Sequence, residues 1–276
     1  MKRNPEVAAI VVAAGVGRRM HGRMGVGAGR GTGRGVGRGI LGGMDREGEK
    51  VFVTLGGKPL LFYSLKALEV SPEIERVIVV VRRRALKKCR DLVSRLGFKK
   101  VQAVVAGGKR RQDSVENGLR FVGESRFVLI HDGARPFLSK RLISRTLAAC
   151  RKTGAAIAAL PVNDSVKKVR GNSIDKAVSR ENLWAAQTPQ VFETRVLEEA
   201  FGRWPRNVTA TDDASMLKKS GRKVSVVEGE LFNIKITFPS DLALAESLLR
   251  LKKRPWASFA GAPGRRSKRL MTHGGI

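Results

Sequence analysis

Short apolar runs rich in β-branched residues alternate along this chain with segments of helical period, and no other feature limits its fold as tightly. The runs cover residues 8–14, 77–81, 101–105, 127–131 and 155–162. Between them, 59–70, 85–96, 112–122 and 139–153 carry apolar residues at three- and four-residue spacing. Repeated strand and amphipathic helix predict an α/β fold with a mostly parallel sheet covered on both faces. After residue 162 the rhythm changes. Residues 165–184 are polar and punctuated by Gly171 and Asn172, which predicts a protruding hairpin or arm. The pattern then resumes with helices near 194–202 and 213–220, strands near 224–227 and 233–236, and a last helix from Ser240. Pro239 and Asp241 are start signals for that helix.

Two stretches stand outside this pattern. Residues 22–43 alternate Gly with Arg, Val and Ala, and the tail after Lys253 is rich in Gly, Pro, Ser and Arg. Neither buries enough apolar surface to offset its ordering entropy, so both are expected to be mobile without ligand. The reading is therefore one domain over 1–253, with an inserted loop at 22–43, an arm at about 163–186 and a basic tail at 254–276. No unit of solenoid length repeats.

At 276 residues and 42% hydrophobic, the chain can fill a substantial core. Its 54 Lys and Arg against 24 Asp and Glu give a formal charge of +30, enough to draw any polyanion. Charge alone does not choose among nucleic acid, anionic membrane and nucleotide. An RNA-binding protein is the alternative from another class, since the 22–43 tract resembles arginine–glycine segments that bind RNA through charge. Against it, aromatic residues make up 5% of the chain and none lies in the tract, so no stacking platform is evident. Specific nucleic-acid partners are not expected.

Cys89 and Cys150 lie in separate helical segments and read as buried thiols rather than a disulfide or zinc site. The first residues imitate a signal peptide, but Pro5 and Glu6 separate the basic end from a short apolar run, which reads as a buried first strand. No run approaches the roughly 20 apolar residues of a membrane span. A soluble, cytoplasmic protein is expected, with no membrane partner.

The first strand leads into AAGVGRRM. Gly15 and Gly17 let the backbone approach a phosphate chain closely, and Arg18 and Arg19 bring guanidinium forks to the same place. Ligands of open α/β sheets bind at the carboxyl ends of strands, where this loop falls. The loop lacks the spacing of a P-loop. It also lacks the third glycine and the acidic residue of a dinucleotide site, and Arg82–Arg84 stand where that acid belongs. HDGARPF puts Asp132 at the end of a buried strand, a place where a carboxylate meets a metal–phosphate complex directly or through water, or orients an acceptor. Arg135 pairing with Asp132 as a structural salt bridge is the other reading. His131 reads as a packing or hydrogen-bonding residue, not a general base. In GGKRRQDSV, Asp113 and Ser114 open a helix and are candidates for capping.

AAGVGRRM, a Lys before GGKPLL, GGKRRQDSV, HDGARPF, PVNDSVKKV, ENLWAAQTPQVF, TATDDAS and NIKIT follow one another from residue 7 to about 250. In this order they resemble the 2-C-methyl-D-erythritol 4-phosphate cytidylyltransferase family. The resemblance implies a Rossmann-like, glycosyltransferase-A-like nucleotidyltransferase that transfers CMP from CTP to 2-C-methyl-D-erythritol 4-phosphate, with Mg²⁺ or another divalent cation and a homodimer formed through the arm. Ribitol 5-phosphate or another sugar phosphate is the rival acceptor. The resemblance further implies that Arg19, Lys50, Arg180 and Lys235 are the catalytic cations. It assigns CTP to Ala13, Ala14, Gly15, Gly17, Gly108, Arg111, Ser114 and Asp132, with Asp132 also meeting the metal. The acceptor falls to Arg135, Ser165, Lys167, Thr188 and Thr237, with Ser165, Lys167 and Arg180 reaching into the neighbouring subunit's site.

Two departures from the family pattern stand out. The Gly-rich motif and the loop Lys are usually a few residues apart, whereas here the stretch from Met20 to Lys50 intervenes and Val51 stands where Gln is usual. Lys58, the other nearby lysine, sits in GGKPLL, which reads as a βα turn. The inserted tract falls at the mouth of the expected triphosphate site, where its four Arg suit a cationic lid.

Overall fold

The structure is a computed structural model and describes residues 6–15, 49–219 and 221–253. The inserted tract, the basic tail, Gly17, Arg18 and Arg19 lie outside the described residues.

The first strand, β1 (Val7–Val12), is buried along nearly its whole length, as a central strand covered on both faces must be. It pairs in parallel with β4 (Arg76–Val81) on one side and β6 (Phe127–Asp132) on the other. The complete sheet has the order β11 (Ser225–Glu228), β7 (Ala155–Pro161), β10 (Trp184–Glu193), β6, β1, β4, β5 (Val101–Ala106). Only β10 runs antiparallel to its neighbours.

Alternate residues of each strand feed two cores. Val7, Ala9, Val11, Val79 and Leu129 pack against α1 (Leu60–Glu69), α2 (Leu86–Leu96) and α4 (Lys140–Thr153). Ala8, Ile10, Val80, Ile130 and Phe192 pack against α3 (Arg111–Leu119), α5 (Thr194–Arg203) and α6 (Asp213–Lys219). A third cluster joins α7 (Pro239–Lys253) to the hairpin of β2 (Thr54–Leu55) and β3 (Lys58–Pro59). Cys89 and Cys150 are buried and unpaired, and burial pushes both thiols up to about 12. Among the described residues no helix is long and apolar enough to cross a membrane.

Three features differ from the sequence reading. Residues 233–236 form no strand: Asn233 N–H turns back to the Glu230 carbonyl at 3.0 Å, and Ile236 N–H bonds the loop carbonyl of Ala134 at 2.9 Å, past the end of the strand at Asp132. Strand β10 was not anticipated, because Gln187 to Gln190 interrupt its apolar pattern and Pro189 reads as a breaker. GGKPLL is a hairpin turn, with Gly56 and Gly57 at φ 52° and 80°, and the helix begins only after β3. The expected arm is present as β8 (Val166–Arg170) and β9 (Ser173–Val178), an exposed antiparallel hairpin turning at Gly171.

Candidate active site

Strand register brings the working loops together. Val12 lies opposite Val80 on one side and Asp132 on the other, so β1, β4 and β6 end at one level. The loop after β1 is pinned there by bonds from Ala13 N–H to the Val80 carbonyl at 2.8 Å and from Gly133 N–H to the Val12 carbonyl at 2.9 Å. Gly107 N–H reaches the Val81 carbonyl at 2.8 Å and turns the next loop toward the same edge. A Cβ at Gly107 would lie 2.5 Å from Ala14 Cβ and 2.7 Å from Ser114 Oγ, so the two loops meet only because this residue is glycine.

Between these loops opens a cleft of about 170 Å³. Ala13, Ala14 and Gly15 form one wall, Gly108, Arg111 and Ser114 another, and Lys50, Asp132 and Lys235 close it. Lys109, Arg110 and the apolar Val12, Val51 and Ala134 complete the lining. Seven expected nucleotide contacts, among them Asp132, the expected metal carboxylate, thus share one cleft with two of the expected catalytic cations. Gly17 and Arg19 lie outside the described residues.

Asp132 is the electrostatic centre. Its carboxylate is mostly buried and faces Lys235 Nζ at 2.8 Å, Arg111 Nε at 3.4 Å and Arg135 Nε at 3.6 Å. Burial by itself would raise its pKa, but the three cations outweigh that and hold Asp132 well below the usual carboxylate range. Arg111 is gripped at a second point, Asp213 Oδ2 at 2.6 Å from its Nη1. Asp213 is fully buried, and burial raises its pKa against the pull of Arg111. Asp213 carried no role in the sequence reading. Its only signal there was its place in TATDDAS, which does not reveal which cation it meets.

Behind Asp132 a directed hydrogen-bond chain stiffens the strand end. The Arg135 carbonyl can only accept, so His131 Nε2 carries the proton across their 3.1 Å contact. Burial pulls the His131 pKa down to about 4, so the ring is neutral near pH 7 and its Nδ1 accepts from the Thr188 hydroxyl at 3.0 Å. That hydroxyl in turn accepts Asp132 N–H at 3.1 Å. His131 is thus a buried hydrogen-bonding residue. Thr188 and Arg135 are buried behind the cleft, and Arg135 Nη1 donates to the Asn233 carbonyl at 2.7 Å.

The capping expected of Asp113 is present, since its carboxylate accepts Arg110 N–H at 3.0 Å at the start of α3. Ser114 ties the loop to the helix, accepting Gly108 N–H and donating to the Arg110 carbonyl, both at 3.1 Å. Thr237 lies next to the site and donates to the Lys235 carbonyl at 3.1 Å. Ser165, Lys167 and Arg180 are exposed on or beside the arm, do not line the cleft, and Arg180 bonds the Asn163 carbonyl.

Comparison with known proteins supplies an independent line. The profile of the family 2-C-methyl-D-erythritol 4-phosphate cytidylyltransferase matches residues 34–251. A protein of that name from Dehalococcoides mccartyi strain 195 is 40% identical over 248 residues, covering 90% of this chain and 97% of the relative. Another from Geobacter metallireducens is 41% identical over 209 residues, covering 74% and 90%. Among solved structures, 4-diphosphocytidyl-2C-methyl-D-erythritol synthase from Anaerococcus prevotii superposes with a TM-score of 0.70 at 28% identity, covering 88% of this chain and 96% of that one. The 2-C-methyl-D-erythritol 4-phosphate cytidylyltransferase of Thermus thermophilus superposes with a TM-score of 0.64 at 38% identity, covering 74% and 94%.

Proposed function

The chain belongs to the 2-C-methyl-D-erythritol 4-phosphate cytidylyltransferase family, and from that membership we propose how its cleft performs the reaction. The enzyme transfers a cytidylyl group from CTP to 2-C-methyl-D-erythritol 4-phosphate with release of pyrophosphate, in the methylerythritol phosphate route to isoprenoids. The observation that carries the reading of the site is the convergence of Lys50, Arg111 and Lys235 on a cleft whose floor is Asp132.

CTP lies across the strand ends, with its base and ribose toward Gly108 and Ser114 and its phosphates toward Gly15, Lys50 and Lys235. The acceptor phosphate needs no general base, since its second pKa of about 6 leaves it mostly dianionic near pH 7. The chain's own work is to aim that dianion at the α-phosphorus and to neutralise charge as pyrophosphate departs. Lys235 is suited to both tasks because its side chain is 40% exposed while its ammonium sits 2.8 Å from Asp132. Arg19 is assigned to the triphosphate by the family pattern alone.

A divalent cation fits this site: Asp132 is an ionised carboxylate at a strand end, and magnesium takes few protein ligands and leaves most positions to phosphates and water. Asp132 would hold it directly or through water, and the ion would supply charge neutralisation between the phosphates. Ser165, Lys167 and Arg180 serve an acceptor bound in the neighbouring subunit. Support comes from their exposure in the monomer and from the bare Val169 and Ile174 on the same hairpin. We assign the enzyme to the cytoplasm, in keeping with its two unpaired cysteines.

Pyrophosphate release from CTP tests the reading, with 2-C-methyl-D-erythritol 4-phosphate and ribitol 5-phosphate offered side by side. Release with the first acceptor is expected, together with a loss in kcat/KM of about 10²- to 10³-fold in Lys235→Ala. Preference for ribitol 5-phosphate, or full activity in the variant, would refute it.

A further inference from the structure

We propose that Asp213 is a positioning residue for nucleotide binding, acting entirely through Arg111. The inference rests on reading the cleft as the CTP site. Arg111 stands on the first turn of α3 with part of its guanidinium facing the cleft, and two carboxylates from different elements compete for it. Asp213, at the start of α6, takes Nη1 at 2.6 Å, and Asp132 takes Nε at 3.4 Å. The nearer carboxylate is the one with no exposure at all, and its Oδ1 has no hydrogen-bond partner among the described residues. Among the described residues no other hydrogen bond or ion pair engages its carboxylate, so the pair with Arg111 is its one polar contact.

The arrangement divides labour between the two acids. With Asp213 matching its charge, Arg111 stays stretched across the mouth of the cleft, leaving the remaining N–H groups of Nη1 and Nη2 free for a ligand. Without Asp213 the nearest anion to the guanidinium is Asp132. Arg111 would then settle onto Asp132, losing its reach toward the nucleotide and adding to the neutralisation of a carboxylate that already has Lys235 at 2.8 Å. Asp213 therefore keeps Arg111 and Asp132 apart in function although they touch.

The test is calorimetric binding of CTP with magnesium chloride and no acceptor, on the full chain. Asp213→Asn preserves shape and removes the charge. It is expected to weaken CTP binding about tenfold, comparable to the lower end of losses when a ligand-holding side chain is stripped of its support. Placed on Arg111→Ala, the same substitution is expected to add nothing, because the group it acts through is gone. In turnover the KM for CTP should rise and the KM for the acceptor should stay, a split that loosened packing alone would not give. Unchanged CTP affinity in Asp213→Asn, or losses that multiply in the double variant, would overturn the proposal. If Asp213→Asn does not fold, Arg111→Met alone and with Asp213→Ala replaces the buried pair by apolar groups. Equal CTP affinity of these two supports the proposal and a further loss in the second refutes it. A wild-type chain that bound no CTP would instead remove the nucleotide-site reading, and this inference with it.

Discussion

Acid should unfold this enzyme through His131 before its carboxylates titrate. The ring is fully buried between the Arg135 carbonyl and the Thr188 hydroxyl, and its pKa falls from 6.5 to about 4. The unfolded chain therefore takes up a proton near pH 6.5 that the folded chain refuses until about pH 4. Where the unfolded state binds more protons, stability rises with pH, so this contribution is complete above pH 6.5 and is lost as the pH falls through that window. At 1.36 kcal/mol per unit, the shift amounts to roughly 3 kcal/mol by pH 4, about 2 kcal/mol of it already gone at pH 5. Urea unfolding at pH 7, 6, 5 and 4.5 measures it. The control is His131→Asn, whose amide oxygen can still accept from Thr188 but takes up no proton in this range. Whatever stability the variant starts from, it should be flat where the wild type falls. Parallel decline of both proteins would show that the buried ring does not govern the acid limb.

Gly107→Ala is expected to raise the KM for CTP by about tenfold with little loss of fold, because the new methyl cannot coexist with Ala14 Cβ 2.5 Å away and Ser114 Oγ 2.7 Å away unless the two nucleotide loops part; steady-state kinetics at saturating acceptor measures it. Ile174→Asp places a charge on a side chain that is 67% exposed on the arm. If the arm forms the dimer as proposed, light scattering should find the wild type at twice 30.1 kDa and the variant at the monomer mass, with acceptor KM rising and CTP affinity unchanged.

The sequence carried the parts of the fold that repeat. Five β-branched runs and their helices are legible because burial on both faces forces apolar composition, and composition survives without any knowledge of partners. Strand β10 was hidden because its pairing with β6 and β7 depends on neighbours far away in sequence, while locally Gln187 to Gln190 look like a loop. Residues 233–236 misled in the opposite direction, since NIKIT alternates like a strand but Ile236 bonds a loop carbonyl, that of Ala134, instead of a strand. In the site, Asp132 was legible as a candidate from its place after a buried run and Lys235 from its family motif, while Lys50 was assigned from the order of the motifs against an unusual spacing. Asp213 could not: a buried acid is defined by the cation it meets, and Arg111 lies 102 positions away.

That dependence on partners also governs how the cleft receives its ligand. Asp132 has three cationic neighbours, so Lys235 and Arg111 already carry ion pairs with a carboxylate. A triphosphate bound as proposed would draw Lys235 from a 2.8 Å contact, an exchange that is favourable only if Asp132 gains something in return. If Asp132 holds a divalent cation as proposed, that charge would supply the compensation, leaving Lys235 to turn to the phosphates. On that proposal, nucleotide and metal binding would be coupled by the shared carboxylate. By linkage, each should strengthen the other by the same factor, and removing the charge at Asp132 should abolish that factor rather than merely lower both affinities.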